Sequence, residues 1–165
     1  MKRTMFLVVL MLSIAMAAPA AAAIKITKIR FNPPGPDTGT NEHLRKELVV
    51  IKNTGSRTVR LDGWRIVDAG RDHVYVFGDP NRGNDVFTDI RLRPGGYVRI
   101  HSGRGQDLAT ASAHGDTPTY YDFYWDLDDY VWNNGGDRAR LIRPNRNVVD
   151  SCAYAASADS PHTCT

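Results

Sequence analysis

Apolar side chains alternate with polar ones along most of this chain, in short runs separated by Gly, Pro, Asn and Asp. The pattern is clearest around Trp132. Val131 and Trp132 close one segment, and Asn133-Asn134-Gly135-Gly136 supplies residues that tolerate positive φ. Asp137 then offers a carboxylate to the backbone N–H groups of the turn. Beyond it Ala139 and Leu141 fall on one face, Arg138 and Arg140 on the other. That is the period of a strand with one buried face. It places Trp132 as a plug at the rim of a core.

The rest of the chain reads in the same way. Ile24 to Phe31 predicts a strand in which Ile29 and Phe31 join the face of Ile24 and Ile26 only if the parity slips, which predicts a bulge. Asn32 to Asn41 predicts a rigid, turn-rich loop. Leu48-Val49-Val50-Ile51 is apolar on both faces, as in a central strand. Val59 to Val67 predicts one strand with a bulge at Gly63, which turns Trp64 and Ile66 inward beside Val59 and Leu61. Trp64 is then the large core aromatic. His73 to Phe77, Val86 to Leu92, Tyr97 to His101 and Val148 to Cys152 predict further strands. Gly78 to Asn84 reads as a hairpin extension, and Ser102 to Tyr121 as a long surface loop. About nine short strands, no helix and frequent Gly/Pro turns imply an all-β, immunoglobulin-like β-sandwich.

The N-terminus changes the picture. Met1-Lys2-Arg3 precedes an apolar run from Met5 to Met16 and an Ala-rich stretch ending near Ala23. These are the features of a secretory signal peptide, and the run is too short for a comfortable membrane span. No Cys follows it to carry a lipid anchor. Cleavage predicts a secreted, extracellular domain over residues 24–165 without a membrane span. The formal charge of +3 includes Lys2 and Arg3, so the remainder carries +1, a weak argument for nucleic acid. In an exported chain the only two cysteines, Cys152 and Cys164, are expected to form a disulfide. The expected role is to close a terminal loop rather than to join sheets.

Several stretches together carry a family resemblance: Asn32-Pro33-Pro34-Gly35-Pro36-Asp37, Asn41-Glu42, Glu47 to Gly55, Leu61-Asp62-Gly63-Trp64, Leu92-Arg93-Pro94-Gly95, His101-Ser102-Gly103, Val131 to Asp137 and Val148-Val149-Asp150. From Ile26 through Tyr154 the chain resembles a lamin-tail domain of the secreted bacterial type. The resemblance implies an immunoglobulin-like sandwich, no established catalytic residues and a role in binding or tethering. Insertions at Asp79–Asp85 and Ala111–Asp122 depart from the shorter form of the family.

Candidate chemistry is sparse. None of the five histidines, His43, His73, His101, His114 and His162, stands in a zinc motif, and no Gly-x-Ser-x-Gly elbow is present; the histidines are expected on the surface or in strands. Asp37, Asn41, Glu42 and Glu47 are oxygen donors close in sequence, a candidate Ca²⁺ set; otherwise they order the loop, with Glu47 paired to an Arg. Tyr120 and Tyr121 are surface candidates for stacking on a ligand, beside Tyr124 and Trp125, which are expected to begin a core strand. Arg138, Arg140, Arg143 and Arg146 line one outward ridge, either a solvated face or a phosphate-contacting stripe. Trp64, Trp132, Asn133 and Asp137 are assigned structural roles. No cofactor other than Ca²⁺ is suggested. The expected function is a non-catalytic extracellular module that binds or tethers protein or polysaccharide of the cell envelope or matrix. The alternatives are a nucleic-acid-binding accessory module and a secreted hydrolase with an unrecognised site.

Overall fold

Alternation of buried and exposed residues, broken at a bulge in the first strand and in the buried central strand, produces two packed sheets in the computed structural model, which describes residues 24–81, 87–111, 118–156 and 160–165. The expected signal peptide, His114 and parts of both expected insertions lie outside the described residues. The chain begins with strand β1 (Ile24–Arg30), passes through the short helix α1 (Asn41–Leu44) and returns in β2 (Leu48–Asn53). Strands β3 (Val59–Arg60), β4 (Arg65–Val67), β5 (Val74–Val76) and β6 (Arg91–Leu92) follow. Then come β7 (Tyr97–His101), β8 (Leu108–Ala111), β9 (Pro118–Tyr124), β10 (Gly136–Ile142), β11 (Val148–Ala155) and β12 (His162–Thr163). One sheet has six strands in the order β12-β1-β2-β7-β9-β8, the other four in the order β11-β10-β4-β5, and β3 and β6 form a separate pair. The chain is an immunoglobulin-like β-sandwich.

The predicted bulge in β1 is present: pairing with β2 shifts between Ile26 and Lys28. The slip at Thr27 brings Ile24, Ile26, Ile29 and Phe31 all into the core. Strand β2 is central, between β1 and β7. Tyr75, Phe77, Phe123, Trp125 and Trp132 meet between the sheets, with the rings of Trp125 and Trp132 edge to face at 6.1 Å. Trp64 and Trp132 are both buried, at 7% and 1% exposure.

Around Trp132 the turn forms as its residues require. The Gly136 N–H donates to the Asn133 carbonyl at 3.0 Å. Gly136 has φ of 113°, and a Cβ there would meet the Tyr154 carbonyl at 3.1 Å, so glycine suits both the turn and the close strand. Buried Asp137 accepts the N–H groups of Asn133, Arg138 and Ala69 at 3.2, 2.7 and 3.0 Å. Asn133 is exposed but structural, since its carbonyl accepts the Tyr154 hydroxyl at 2.9 Å.

Four expectations are corrected. The segment from Val59 to Val67 is not one strand. Asp62 and Gly63 form a turn with Gly63 at φ 75°, and the Trp64 N–H closes back on the Leu61 carbonyl at 2.9 Å. β3 and β4 therefore belong to different sheets. The expected loop from Ser102 to Tyr121 contains β8 and the start of β9, and β9 runs parallel to β7. A helix exists after all: Thr40 caps it, its hydroxyl accepting the His43 N–H at 3.4 Å. His43 is buried in that helix at 5% exposure rather than lying on the surface. The strands number twelve among the described residues; no helix among these residues is long and apolar enough to cross a membrane.

Candidate functional site

The four oxygen donors considered for calcium are not brought to one point. Glu47 is fully buried at the entry to β2, and its two carboxylate oxygens accept the N–H groups of Val131 and Trp132, each at 2.9 Å. It has backbone partners, not the Arg expected for it. Asn41 is tied to Arg104, accepting its N–H at 2.6 Å and donating to its carbonyl at 3.0 Å. Glu42 pairs with Lys46 at 3.1 Å, and Asp37 accepts the Asn134 amide at 2.8 Å. Among the described residues no group of three or more His, Cys, Asp or Glu is placed to hold a metal ion.

Tyr121 is not a surface residue. It follows Tyr120 on a strand, so the two point to opposite faces. Tyr121 is 3% exposed and its hydroxyl donates to the Arg91 carbonyl at 3.2 Å; burial raises its phenol above the usual range. Trp125 is a core residue, as expected. The arginine ridge is partly engaged. Arg140 donates to the carbonyls of Asp68 and Ala69 at 2.8 and 3.3 Å, and the Arg143 guanidinium lies 5.4 Å from the Trp64 ring centre. Arg138 and Arg146 are exposed, the latter in the hairpin turn at φ 69°.

What the register assembles on the outer face of the six-stranded sheet is more concentrated. Lys52, Tyr97 and Tyr120 are partners across β2, β7 and β9, while Lys28, Val50, Arg99 and Asp122 form the next row from β1 to β9. The Tyr97 and Tyr120 rings stack with centres 5.2 Å apart and planes within 4°. The Arg99 guanidinium lies 5.9 and 5.3 Å from their centres and donates twice to Asp122, at 2.5 Å each. That pairing holds Arg99 charged, above the usual guanidinium range. Beside the ring pair runs a groove of about 270 Å³ lined by Thr27, Lys28, Val50, Lys52, Tyr97 and Arg99. Further along the face His101 stacks on Tyr124 at 4.9 Å. Both nitrogens of His101 are engaged, one by the Arg45 carbonyl at 2.6 Å and one by Asp122 at 3.3 Å. It is therefore held as a fixed part of this surface.

The Lamin Tail Domain family model matches residues 17–156. The chain belongs to the lamin tail domain family. This is a family of non-catalytic immunoglobulin-like domains, and the sandwich above is its framework. No curated protein matches the chain. In this lamin tail domain the expected insertion from Ala111 to Asp122 carries most of β9, and so supplies Tyr120 to the outer face.

A second depression lies at the end of the sandwich. It encloses about 420 Å³ among Asp37, Asp68, Asp72, Asp129, His73 and Tyr130, with Trp132 behind them. Its groups are largely turned to each other or to the backbone. Asp68 accepts the His73 N–H at 3.2 Å and faces its ring nitrogen at 3.3 Å, and the Tyr130 hydroxyl bonds the buried ring of His43 at 2.6 Å. Sequence reasoning found neither depression. Each draws on strands or turns far apart in the chain, and only the register joins them.

Proposed function

We propose that this lamin tail domain is a non-catalytic, exported binding module that docks polysaccharide or protein of the cell envelope or matrix through the outer face of its six-stranded sheet. The observation that carries the reading is the Tyr97–Tyr120 ring pair, set beside an open groove on the outer face of the six-stranded sheet. Aromatic rings on an open face supply contact area at little entropic cost and stack readily on sugar rings or apolar anchors. The apolar leader and the Cys152–Cys164 bridge support export. The engaged nitrogens of His101 and the backbone role of Glu47 support binding rather than turnover, since both groups are committed to structure.

The test is retention of the purified protein on cell-wall material, insoluble polysaccharides and immobilised DNA at low and high salt. Retention on envelope material is expected, with Tyr97→Ala and Tyr120→Ala each weakening it. Retention unchanged in both variants would remove this face as the site. Hydrolysis of the offered polymers would replace the binding reading with an enzymatic one.

A further inference from the structure

We propose that the groove beside Tyr97 takes the carboxylate of an acidic polysaccharide, a polyuronate, so that the outer sheet face is a platform for anionic rather than neutral sugar chains. The inference rests on the binding-module reading and names the substrate class of that same face. It begins with two lysines. Lys28 and Lys52 are exposed, both line the groove, and neither ammonium group has a hydrogen bond or ion pair among the described residues. Neighbouring lysines are spent differently: Lys25 pairs with Asp150 at 3.1 Å and Lys46 with Glu42 at 3.1 Å. Lys28 lies opposite Val50 in the register, and Lys52 is two residues along the same strand. The two ammonium groups therefore come from diagonal positions, which stand roughly 7–8 Å apart at the backbone. Two like charges on one groove repel, and an anion between them relieves the repulsion.

The remaining lining decides which anion. A guanidinium suits the bidentate geometry of phosphate, but the one at this groove, Arg99, is held by Asp122 through Nε and Nη2, and that carboxylate balances its charge. The unbalanced charges at the groove are the two ammonium groups, point charges that match a single carboxylate. The floor is Val50 and one wall is the Tyr97 ring. Tyr120 covers the β9 side of that ring, so the opposite face is the one that borders the groove. A sugar ring against that face sets its carboxylate toward Lys52 and Lys28. At about 270 Å³ the space lies just below the range of roughly 300–1,000 Å³ for drug-sized ligands. It suits one sugar unit of a chain whose neighbours lie over Tyr120 and along the open face. Nucleic acid is the less favoured occupant, because it needs several phosphate contacts and this face offers two unpaired cations at the groove.

The experiment is affinity electrophoresis of the full protein through polygalacturonate, through the same polymer with its carboxylates methyl-esterified, and through a neutral glucan, with a duplex DNA competitor in a separate lane. The expected result is retardation by polygalacturonate and at least about fivefold weaker retardation by the esterified polymer. Loss of similar size is expected in the double variant Lys28→Ala, Lys52→Ala, with its melting temperature unchanged. The esterified comparison uses the unaltered protein, so it stands even if the variant folds poorly. Equal retardation by free and esterified polymer would overturn the carboxylate proposal and leave the binding-module reading intact. Retardation by no polysaccharide at all would overturn the proposal, and failure to bind envelope protein as well would take the module reading with it. DNA binding that disappears in the double variant, without polyuronate binding, would assign the groove to nucleic acid instead.

Discussion

The carboxylate of Glu47 accepts the backbone N–H of Trp132 at 2.9 Å, across 85 residues of chain. Its other oxygen accepts the Val131 N–H at the same distance. One buried side chain at the start of β2 thus anchors the loop that inserts the plug of the core. Removing it leaves two buried N–H groups unpaired, at about 1–3 kcal/mol each, together with a void. Glu47→Ala is therefore expected to lower the unfolding free energy by about 3–5 kcal/mol in urea denaturation at neutral pH. Glu47→Gln should cost less than the alanine variant, because the amide keeps one accepting oxygen and fills the space without a buried charge. A loss under about 1 kcal/mol in the alanine variant would mean that the loop is held by other contacts.

The same group sets a pH dependence. Burial raises the Glu47 carboxyl from 4.5 to about 7, against the lowering effect of its hydrogen-bond donors. The folded value is above the unfolded one. The stability that the protonated form contributes is therefore fully present below about pH 4.5 and is lost as pH rises through about 7. By linkage the swing is roughly 3 kcal/mol. The measurement is the difference in unfolding free energy between the wild type and Glu47→Gln, taken across that interval. Subtraction cancels groups common to both, such as Asp89, which its bond to Arg91 holds below the usual carboxylate range. The wild type is expected to lose ground to the variant with rising pH. A flat difference would contradict the raised carboxyl.

The disulfide does more than close a terminal loop, and here the expectation from sequence is corrected. Cys152 lies in β11 of the four-stranded sheet, whereas Cys164 follows β12 at the edge of the six-stranded one. The bridge, with Cα atoms 5.6 Å apart, fastens the two sheets at one margin. The Cys164 N–H also donates to the carbonyl of Thr27, the residue of the β1 bulge, at 3.1 Å. For a sequence separation of 12, the chain-entropy account gives about 3 kcal/mol. Reduction should lower stability by about that amount and speed hydrogen exchange where β12 pairs with Lys28 and Ile29 of β1. Unchanged exchange there after reduction would show that β12 holds without the bridge.

The parts legible in the sequence are those governed by near neighbours. The slip in β1, the alternation of β10 and the turn from Asn133 to Asp137 follow from residue period and turn chemistry, and each stands as read. The failures have a common cause. Glu47 reads from sequence as a calcium donor or the partner of an Arg, because nothing near it in the chain reveals its partners in the Trp132 loop. Strands β8 and β9 were hidden in a Gly-, Ala-, Ser- and Thr-rich stretch with little alternation, and what orders them is pairing with each other and with β7. The groove needs Lys28, Lys52 and Tyr97 from three strands, so it exists only once the register is known.

Tyr120 and Tyr121 give the sharpest division between fold and function. They are adjacent in sequence and opposite in role, because alternate residues of β9 face different sides of the sheet. Tyr121 packs with Phe123 and Phe87 inside the sandwich. Tyr120 stacks on Tyr97 outside it and is half-buried. Truncating the inner ring creates a cavity, so Tyr121→Ala should cost about 3–5 kcal/mol in denaturant titration. Truncating the outer ring removes one stacking contact, so Tyr120→Ala should cost about 1 kcal/mol or less. If the outer face is the binding platform, the order reverses for retention on envelope material: Tyr120→Ala binds more weakly while melting almost as the wild type does. Tyr121→Ala, studied below its own unfolding transition, should keep the greater part of its retention. A pair of variants that lose stability and binding in parallel would show that the two faces are not separable, and that the ring pair serves the fold alone.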